Sequence, residues 1–307
     1  MIVGLLTIMG RVTPAQVEQD PTLDSVIGVV PFGLSAEPFP ELGPTVHTLI
    51  AGSSRHDRVI VWGGGIHDWL DVETPIRAMS LLRGSHPEIK LLFATTVSHP
   101  DHQATPNASR ALSLASDAGL LGQTVFFLDG WTPYDQRANY LRGATAGIVC
   151  HAEHVETRFA FRTRVLDYLW ASIPIITSEG DEFASVVRAH NLGIVVAPSD
   201  PAALASGLVE LVQRVDSGES FADRISTIRP RYHWENVAAP LMNFCANPRK
   251  SVHLGDPVLL QSVSSVMNPY RELSRLFFRC ISLLRTESLH VVINKVIRTV
   301  KETVARM

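Results

Sequence analysis

The segment of residues 156–182 combines arginines and carboxylates at spacings that suit a phosphorylated ligand. It reads ETRFAFRTRVLDYLWASIPIITSEGDE, and its leading charged side chains are Glu156, Arg158, Arg162, Arg164 and Asp167. A guanidinium group can bind two phosphate oxygens at once. A helix that opens near Thr163 would also aim backbone N–H groups and the positive end of its dipole at a ligand ahead of it. The segment therefore predicts a site for a diphosphate and a ribose.

The composition is that of a folded chain without a membrane span. Of its 307 residues 46% are hydrophobic, and the mean hydropathy is +0.13. Such a chain can bury the core of one large domain or of two small ones. Its apolar runs are shorter than the ~20 residues that a spanning helix needs, and the start MIVGLLTIMGR lacks a basic leader for secretion. We therefore expect a cytoplasmic protein.

The three cysteines do not predict a disulfide framework or a metal site. Cys150, Cys245 and Cys280 are an odd number and lack C-x-x-C spacing. Cys150 stands close to His151 and His154, but no second cluster with the spacing of metal ligands accompanies them. We expect reduced, mostly buried cysteines and no bound metal.

The charge is distributed unevenly along the chain. Residues 1–248 hold 17 basic and 26 acidic side chains (net −9), whereas residues 249–307 hold 10 and 4 (net +6). An acidic main body argues against general binding of nucleic acid. Helical patterning over Pro257–Met267 and Pro269–Met307 predicts a helical, basic C-terminal tail. That tail could pack against the body or a partner, or lie on an anionic membrane surface at the inner face of the membrane.

Apolar runs alternate with helical patterns through the middle of the chain. The runs that predict strands buried on both faces are Val59–Trp62, Leu91–Thr95, Val125–Leu128, Gly147–Cys150, Pro174–Thr177 and Gly193–Ala197. The patterns that predict crossover helices are Glu73–Arg83, Ala108–Ala118, Tyr134–Arg142, Arg164–Ala171, Glu182–His190 and Ala202–Val215. Together they predict an α/β domain with a Rossmann-like, doubly wound parallel sheet. In such sheets ligands bind beyond the carboxyl ends of the strands, so the loops after Trp62, Leu128 and Cys150 should share one crevice.

The order of these motifs resembles the nucleotide-sugar-binding lobe of two-lobed (GT-B) retaining glycosyltransferases of the large group 1 or family 4 type. The resemblance covers about residues 26–247. The motifs that carry it are VVPFGL (Val29–Leu34), VIVWGGG (Val59–Gly65), VFFLDGW (Val125–Trp131), RVLDYLWASIPIITSEGDEFASVV (Arg164–Val187), GIVVAPSDPAALASGLVELV (Gly193–Val212) and RPRYHWENVAAPLMNF (Arg229–Phe244).

The resemblance implies a role for several residues. Asp167 matches the carboxylate that holds the donor ribose, although it could instead only complement the start of its helix. Many relatives have an acid eight residues earlier, where this chain has Phe159, so Glu156 is the nearest candidate for that role. Relatives also carry a basic pair after the first strand, which this chain lacks. The diphosphate would then depend on the backbone of Gly63–Gly65 and on an arginine. Gly130, Trp131 and Thr132 would flank the base. The expected donor-binding residues are Gly63, Gly64, Gly65, Gly130, Trp131, Thr132, Glu156, Arg158, Arg162, Arg164 and Asp167.

The resemblance also implies that a lobe is missing. We expect residues 1–25 to be the end of a preceding lobe with its crossover, residues 26–247 to be the nucleotide-sugar-binding domain, and residues 248–307 to be the tail. The expected function is transfer of a glycosyl group from a nucleoside-diphosphate sugar, with no cofactor, to an unknown acceptor. The family suggests a role in cell-envelope polysaccharide. A separately encoded N-terminal lobe is an expected partner, and an isolated lobe could be inactive.

Other functions remain as alternatives. The first is a non-catalytic subunit that binds a nucleotide sugar or acts as a scaffold in a split transferase. The second is a GT-B epimerase or phosphorylase, although no lysine suits a pyridoxal site. A dinucleotide site is disfavoured, because Gly63–Gly65 is followed by Ile-His-Asp rather than by the G-x-G-x-x-G pattern, and the second strand ends without an acidic residue.

Overall fold

The computed structural model describes residues 2–96, 101 and 103–248. The predicted helical tail lies outside these residues. The chain divides into two compact units, one of residues 1–29 and 241–307 and the other of residues 30–240. In the described part of the first unit, the second helix begins with a capping box between Thr13 and Gln16. No helix in the described ranges is both long enough and apolar enough to cross a bilayer.

The larger unit is built on a parallel sheet. Its strands in the described residues are β1 (Arg58–Trp62), β2 (Ile89–Phe93), β3 (Val125–Phe127), β4 (Ala146–Val149), β5 (Ile175–Ser178) and β6 (Gly193–Val196). Their spatial order is β3-β2-β1-β4-β5-β6, and every neighbouring pair is parallel. The α/β fold class and the doubly wound parallel sheet are confirmed. Each predicted strand is found, with ends that differ by at most two residues.

Helices and short 3-10 turns connect the strands. The α-helices are α1 (Ile2–Ile8), α2 (Pro14–Gln19), α3 (Glu73–Leu82), α4 (Pro106–Asp117), α5 (Arg137–Leu141), α6 (Arg164–Trp170), α7 (Glu182–Ala189), α8 (Pro201–Asp216), α9 (Phe221–Ile228), α10 (Trp234–Val237) and α11 (Ala239–Ala246). The 3-10 helices are Val46–Leu49, Tyr134–Gln136, Thr157–Phe159 and Arg229–Tyr232. The predicted helix Tyr134–Arg142 is thus a 3-10 turn that continues into α5.

The sheet is the centre of the hydrophobic core. Strands β4 and β5 are buried at every residue, as expected for strands covered on both faces by helices. The buried hydrophobic residues form one cluster in space. In the described residues its members range along the chain from Leu34 to Ile228, all within the larger unit. Two crossover helices start at aspartate caps, with Asp181 accepting from Ala184 N–H and Asp200 accepting from Ala203 N–H. These caps fix where each chain segment leaves the carboxyl edge of the sheet.

Candidate functional site at the carboxyl edge

The strand order places a crevice between β1 and β4. These strands are neighbours in the sheet, but their following connections lead to opposite sides, β2 lying on one side and β5 on the other. The loops that follow β1 and β4 therefore separate at the carboxyl edge and leave room for a ligand. The triple glycine follows β1, and the arginine-rich segment follows β4, so the fold brings both predicted motifs to one place.

Tyr168 on α6 fixes the glycine loop. Its hydroxyl oxygen accepts the N–H of Gly63 at 2.9 Å and lies 2.8 Å from the carbonyl oxygen of Ile148. Burial raises the pKa of Tyr168 to about 12, so the hydroxyl keeps its proton. Of the three glycine N–H groups expected to face a diphosphate, that of Gly63 is thus already bound. Gly64 has a φ of +75°, which turns the loop away from the strand.

Arg164 lies across the crevice against the same loop. Its Nη2 donates to the carbonyl oxygen of Gly65 at 3.0 Å, and its guanidinium carbon lies 4.8 Å from the centre of the Trp62 ring. Its Nη1 is buried and has no hydrogen-bond partner in the described part of the chain. Burial lowers the pKa of Arg164. Arg164 is thus a half-buried cation with a buried N–H group that has no partner among the described residues. An anionic ligand would supply an acceptor for that group.

The start of α6 contributes fewer free amides than its position suggests. The N–H of Val165 donates to the carbonyl of Arg162 at 2.9 Å, and that of Leu166 donates to the carbonyl of Thr163 at 3.0 Å. These 3-10 bonds satisfy groups that a helix otherwise leaves open. The predicted helix at Thr163 is confirmed, and two of its first N–H groups are already bonded within the chain.

Asp167 lies on the side of α6 that faces α5. Its Oδ1 accepts from Arg137 Nε at 3.0 Å, and Arg137 is stacked between the rings of Tyr134 and Trp170. Burial raises the pKa of Asp167, although the charge of Arg137 opposes that shift. The carboxylate lines a cleft of about 300 Å³ that is also bordered by residues 32–35. It therefore has both an ionic partner and an open side.

Glu156 and Arg162 form a two-point ion pair. Arg162 Nη1 and Nη2 lie 3.1 and 2.8 Å from the two carboxylate oxygens of Glu156. Arg162 is 6% exposed, whereas the side chain of Glu156 is 43% exposed. Arg162 Nε points to Asp181 Oδ2 at 3.9 Å, and that oxygen lies 3.3 Å from Nε2 of the fully buried His151. Arg162 makes no hydrogen bond to the glycine loop in the described residues.

Arg158 lies apart from this cluster. It is exposed and borders a cleft of about 290 Å³ together with Glu179, Gly180 and Pro198. The structure thus distributes the three predicted arginines over three environments, and only Arg164 contacts the glycine loop. Cys150 is buried at the end of β4, and burial raises its pKa to about 12, which keeps the thiol protonated.

The loop after β3 is held to the end of β2. Gly130 N–H donates to Thr96 Oγ1 at 3.1 Å, and Thr132 Oγ1 donates to the carbonyl of Ala94 at 2.8 Å. Gly130 has a φ of +71°, a conformation that favours glycine. Trp131 is 39% exposed. This loop reaches the same edge of the sheet on the side of α5 and Asp167.

Sequence patterns alone did not identify four residues of this region. In the sequence, Tyr168 has the pattern of a core residue of α6, and Arg137 that of a surface residue of α5. Their roles were missed because each contacts a segment far away in the chain. Asp181 reads as a helix cap, and His151 as one member of a weak cluster at a strand end. The cap preference of Asp181 was a usable signal for its position, but no local signal indicated its buried neighbours.

Known sequences and structures were then compared with this chain. The sequence profile of the family described as glycosyl transferases group 1 matches residues 57–214. Among solved structures, Anabaena HepE in complex with UDP-glucose has a TM-score of 0.52 at 11% identity, over 66% of this chain and 56% of that one. The glycosyltransferase WaaG, involved in lipopolysaccharide biosynthesis, has a TM-score of 0.51 at 15% identity, over 72% and 56% of the two chains. No curated protein matches the sequence.

A third match is to sucrose-phosphate synthase from Thermosynechococcus elongatus, with a TM-score of 0.50 at 15% identity, over 76% of this chain and 55% of that one. The chain spans about half the length of each of these structures. At such low identities the structural matches establish the fold, a GT-B lobe. The sequence match covers half of the chain and all six strands described above, and the chain therefore belongs to the group 1 glycosyl transferases.

Proposed function

We propose that this chain binds a nucleoside-diphosphate sugar across the carboxyl edge of its sheet and is the donor-binding part of a glycosyltransferase. The observation that carries the proposal is Arg164, held at the crevice between β1 and β4 with its Nη1 buried and unbonded among the described residues. Its Nη2 donates to the carbonyl oxygen of Gly65 in the glycine loop. Anion binding at this position would satisfy the buried N–H group and restore the solvation that Arg164 loses.

The geometry supports one orientation of the donor. Asp167 pairs with Arg137 on α5, the helix that follows β3. Glu156 pairs with Arg162, whose Nε points to Asp181 after β5. A ligand whose diphosphate meets Arg164 would place its ribose and base toward Asp167. Its sugar would then extend toward Glu156. The carboxylates at both ends can accept hydroxyl hydrogen bonds, which are charge-assisted and contribute about 1.5–3 kcal/mol each.

This arrangement would also assist the departure of the nucleoside diphosphate. Negative charge grows on the diphosphate as the glycosyl bond breaks, and a fixed guanidinium beside it stabilises that charge in the transition state. Arg164 is partly enclosed, so its field is screened less than that of a surface arginine. The similar HepE structure holds UDP-glucose, and the similar WaaG structure is a glycosyltransferase. Both support a nucleotide-sugar ligand here.

The test is calorimetric titration of the full chain with UDP, GDP, dTDP and ADP. Saturable binding of one nucleotide is expected, with a dissociation constant that rises at least tenfold in Arg164→Ala. The matched control is Arg58→Ala, because Arg58 begins β1 at the opposite edge of the sheet and pairs only with Asp216 and a nearby carbonyl among the described residues. An equal loss in both variants, or no binding to a folded wild-type chain, would reject the proposal.

A non-catalytic binding subunit would also pass that titration. Hydrolysis or transfer assays with the bound nucleotide sugar separate the two functions. Release of free sugar or a glycosylated product, lost in Arg164→Ala, would identify an enzyme. Binding without turnover, also in the presence of a candidate partner lobe, would identify a binding subunit.

A further inference from the structure

A group of buried charged and polar side chains lies behind Glu156. His151 and Asp181 are fully buried and Arg162 is nearly so, yet four of their polar atoms have no hydrogen-bond partner among the described residues. These atoms are His151 Nδ1 and Nε2, Arg162 Nε and Asp181 Oδ2. The distances that join the group are 3.3 Å from His151 Nε2 to Asp181 Oδ2 and 3.9 Å from Arg162 Nε to the same oxygen.

Such a group is costly to the fold. Burying an ion pair removes two charges from water, and apolar residues of similar volume commonly give equal or greater stability. The helix cap does not require a charge, because asparagine caps helices about as well as aspartate. The cap of α8 is simpler, since Asp200 accepts from Ala203 N–H and pairs with no histidine or arginine in the described part of the chain. The capping role of Asp181 therefore does not account for the buried histidine and arginine beside it.

The group ends at an accessible carboxylate. His151 lies two residues after the end of β4, and Asp181 lies three residues after the end of β5, so both lie at the carboxyl edge where the crevice opens. Arg162 spans from Asp181 to Glu156 and binds both carboxylate oxygens of Glu156. A two-point pair fixes the plane of the carboxylate as well as its position. The outer lone pairs of Glu156 stay open toward solvent, where its side chain is 43% exposed.

We propose that His151, Asp181 and Arg162 are positioning residues that orient the Glu156 carboxylate to accept hydrogen bonds from hydroxyl groups of the donor sugar. Arg162 then serves Glu156 and not the diphosphate, which is left to Arg164. This inference rests on the proposed donor function. Recognition of the sugar, as distinct from the nucleotide, then depends on buried side chains that do not contact the ligand.

The test compares affinity for a nucleotide with affinity for its sugar ester. The probes are UDP, GDP, dTDP and ADP together with their glucosyl esters, titrated against the full chain. The main variant is Asp181→Asn, which keeps the cap of α7 and removes the charge that faces Arg162 and His151. Asp200→Asn is the matched control, because it makes the same change at a cap without those neighbours. Melting temperatures are recorded for each protein.

The expected result is a change in selectivity. Asp181→Asn, Arg162→Lys and Glu156→Gln should each weaken binding of the ester about tenfold and leave binding of the diphosphate within about twofold. Asp200→Asn should leave both affinities unchanged. In Glu156→Gln the amide oxygen can still accept from Arg162, and melting temperature checks its fold. A ratio of affinities that stays at the wild-type value in this folded variant overturns the proposal even if Asp181→Asn fails to fold.

Three outcomes would reject the positioning role, and they differ in what they say about the donor function. If Arg162→Lys weakens the diphosphate as much as the ester, Arg162 binds phosphate directly and the positioning role is wrong. If the wild-type chain binds neither class of probe, the proposed donor function fails first, and the positioning role fails with it. Retained diphosphate binding with an unchanged ester ratio rejects only the positioning role.

Discussion

At the scale of single residues, the hydroxyl of Tyr168 joins the segments that form the crevice. It accepts from the N–H of Gly63 after β1 and lies within hydrogen-bonding distance of the carbonyls of Ile148 in β4 and Val61 in β1. These groups are buried, so the hydroxyl is a substitute for water that cannot reach them. The glycine loop is thereby fixed before any ligand binds.

Removing this hydroxyl should weaken both the fold and the site. We expect Tyr168→Phe to lower the free energy of unfolding by about 1–3 kcal/mol, because a buried N–H group and a carbonyl lose their partner. Urea unfolding measures this change, and nucleotide titration reports the loosened loop. Tyr134→Phe is the control, since Tyr134 is 71% exposed. Equal stability of the two variants would contradict the role given to Tyr168.

A second residue-scale prediction concerns pH. Burial raises the pKa of Asp167 above its ordinary value of 3.8. The folded state therefore holds this proton more tightly than the unfolded state, and the associated stability is present below pH 3.8 and lost as pH rises through the folded pKa. The free energy of unfolding of wild type, measured relative to Asp167→Asn, should fall as pH increases from about 4. Urea titrations at several pH values test this, and a constant difference would contradict it.

At the scale of elements, the contact between β4 and α6 decides where the arginine segment lies. Gly147 lets the ring of Tyr168 approach the strand, since a Cβ at Gly147 would fall within 2.3 Å of Tyr168 Cγ. The ring can then reach the β1 loop, and Arg164, one turn earlier on α6, reaches Gly65. A glycine in the middle of a strand is unfavourable by itself, so close approach of another element explains its presence.

Adding one methyl group at this contact should displace α6. We expect Gly147→Ala to destabilise the protein by at least about 1–3 kcal/mol, because the added atom overlaps a buried ring. Nucleotide affinity should fall as well, since Arg164 moves with the helix. Gly84→Ala is the control, as a Cβ there meets no atom within 4 Å. Thermal unfolding of both variants measures the effect, and an undisturbed Gly147→Ala would show that the contact yields easily.

At the scale of the whole molecule, the larger unit holds the hydrophobic core cluster of the described residues. Every member of the buried hydrophobic cluster lies between Leu34 and Ile228, within the unit of residues 30–240. A unit of this size buries enough apolar surface to be stable alone. The crevice residues named above also lie within it. Donor binding should therefore be a property of this unit by itself.

A fragment of residues 30–240 should fold and keep the site. We expect a cooperative thermal transition, and a melting temperature that rises on addition of the nucleotide selected by calorimetry, because a ligand that binds only the folded state stabilises it. Circular dichroism measures both. The fragment carrying Arg164→Ala should melt similarly without ligand and lose the shift. A gradual, non-cooperative transition would contradict the independence of this unit.

Local patterns in the amino-acid sequence predict the architecture of the sheet and its connections. Short, β-branched apolar runs such as Val59–Trp62 and Gly147–Cys150 favour strands buried on both faces. Longer patterns such as Glu182–His190 favour helices that cover them, so the strands and their connections could be predicted from local periodicity and length. The predicted location of the crevice follows in turn, because parallel strands present their carboxyl ends at one edge. Gly64 and Gly130 adopt the positive φ values that their loops require.

The ion-pair partner of each charged side chain, in contrast, depends on tertiary contacts. Arg158, Arg162 and Arg164 alternate with other residues over seven positions, and nothing in that spacing distinguishes a solvent-exposed arginine from one bound to Glu156 or one placed against Gly65. The pairing of Asp167 with Arg137 likewise joins residues on different helices. Local patterns record whether a position is buried, whereas the partner of a long, flexible side chain is set by elements that meet only after the chain has folded.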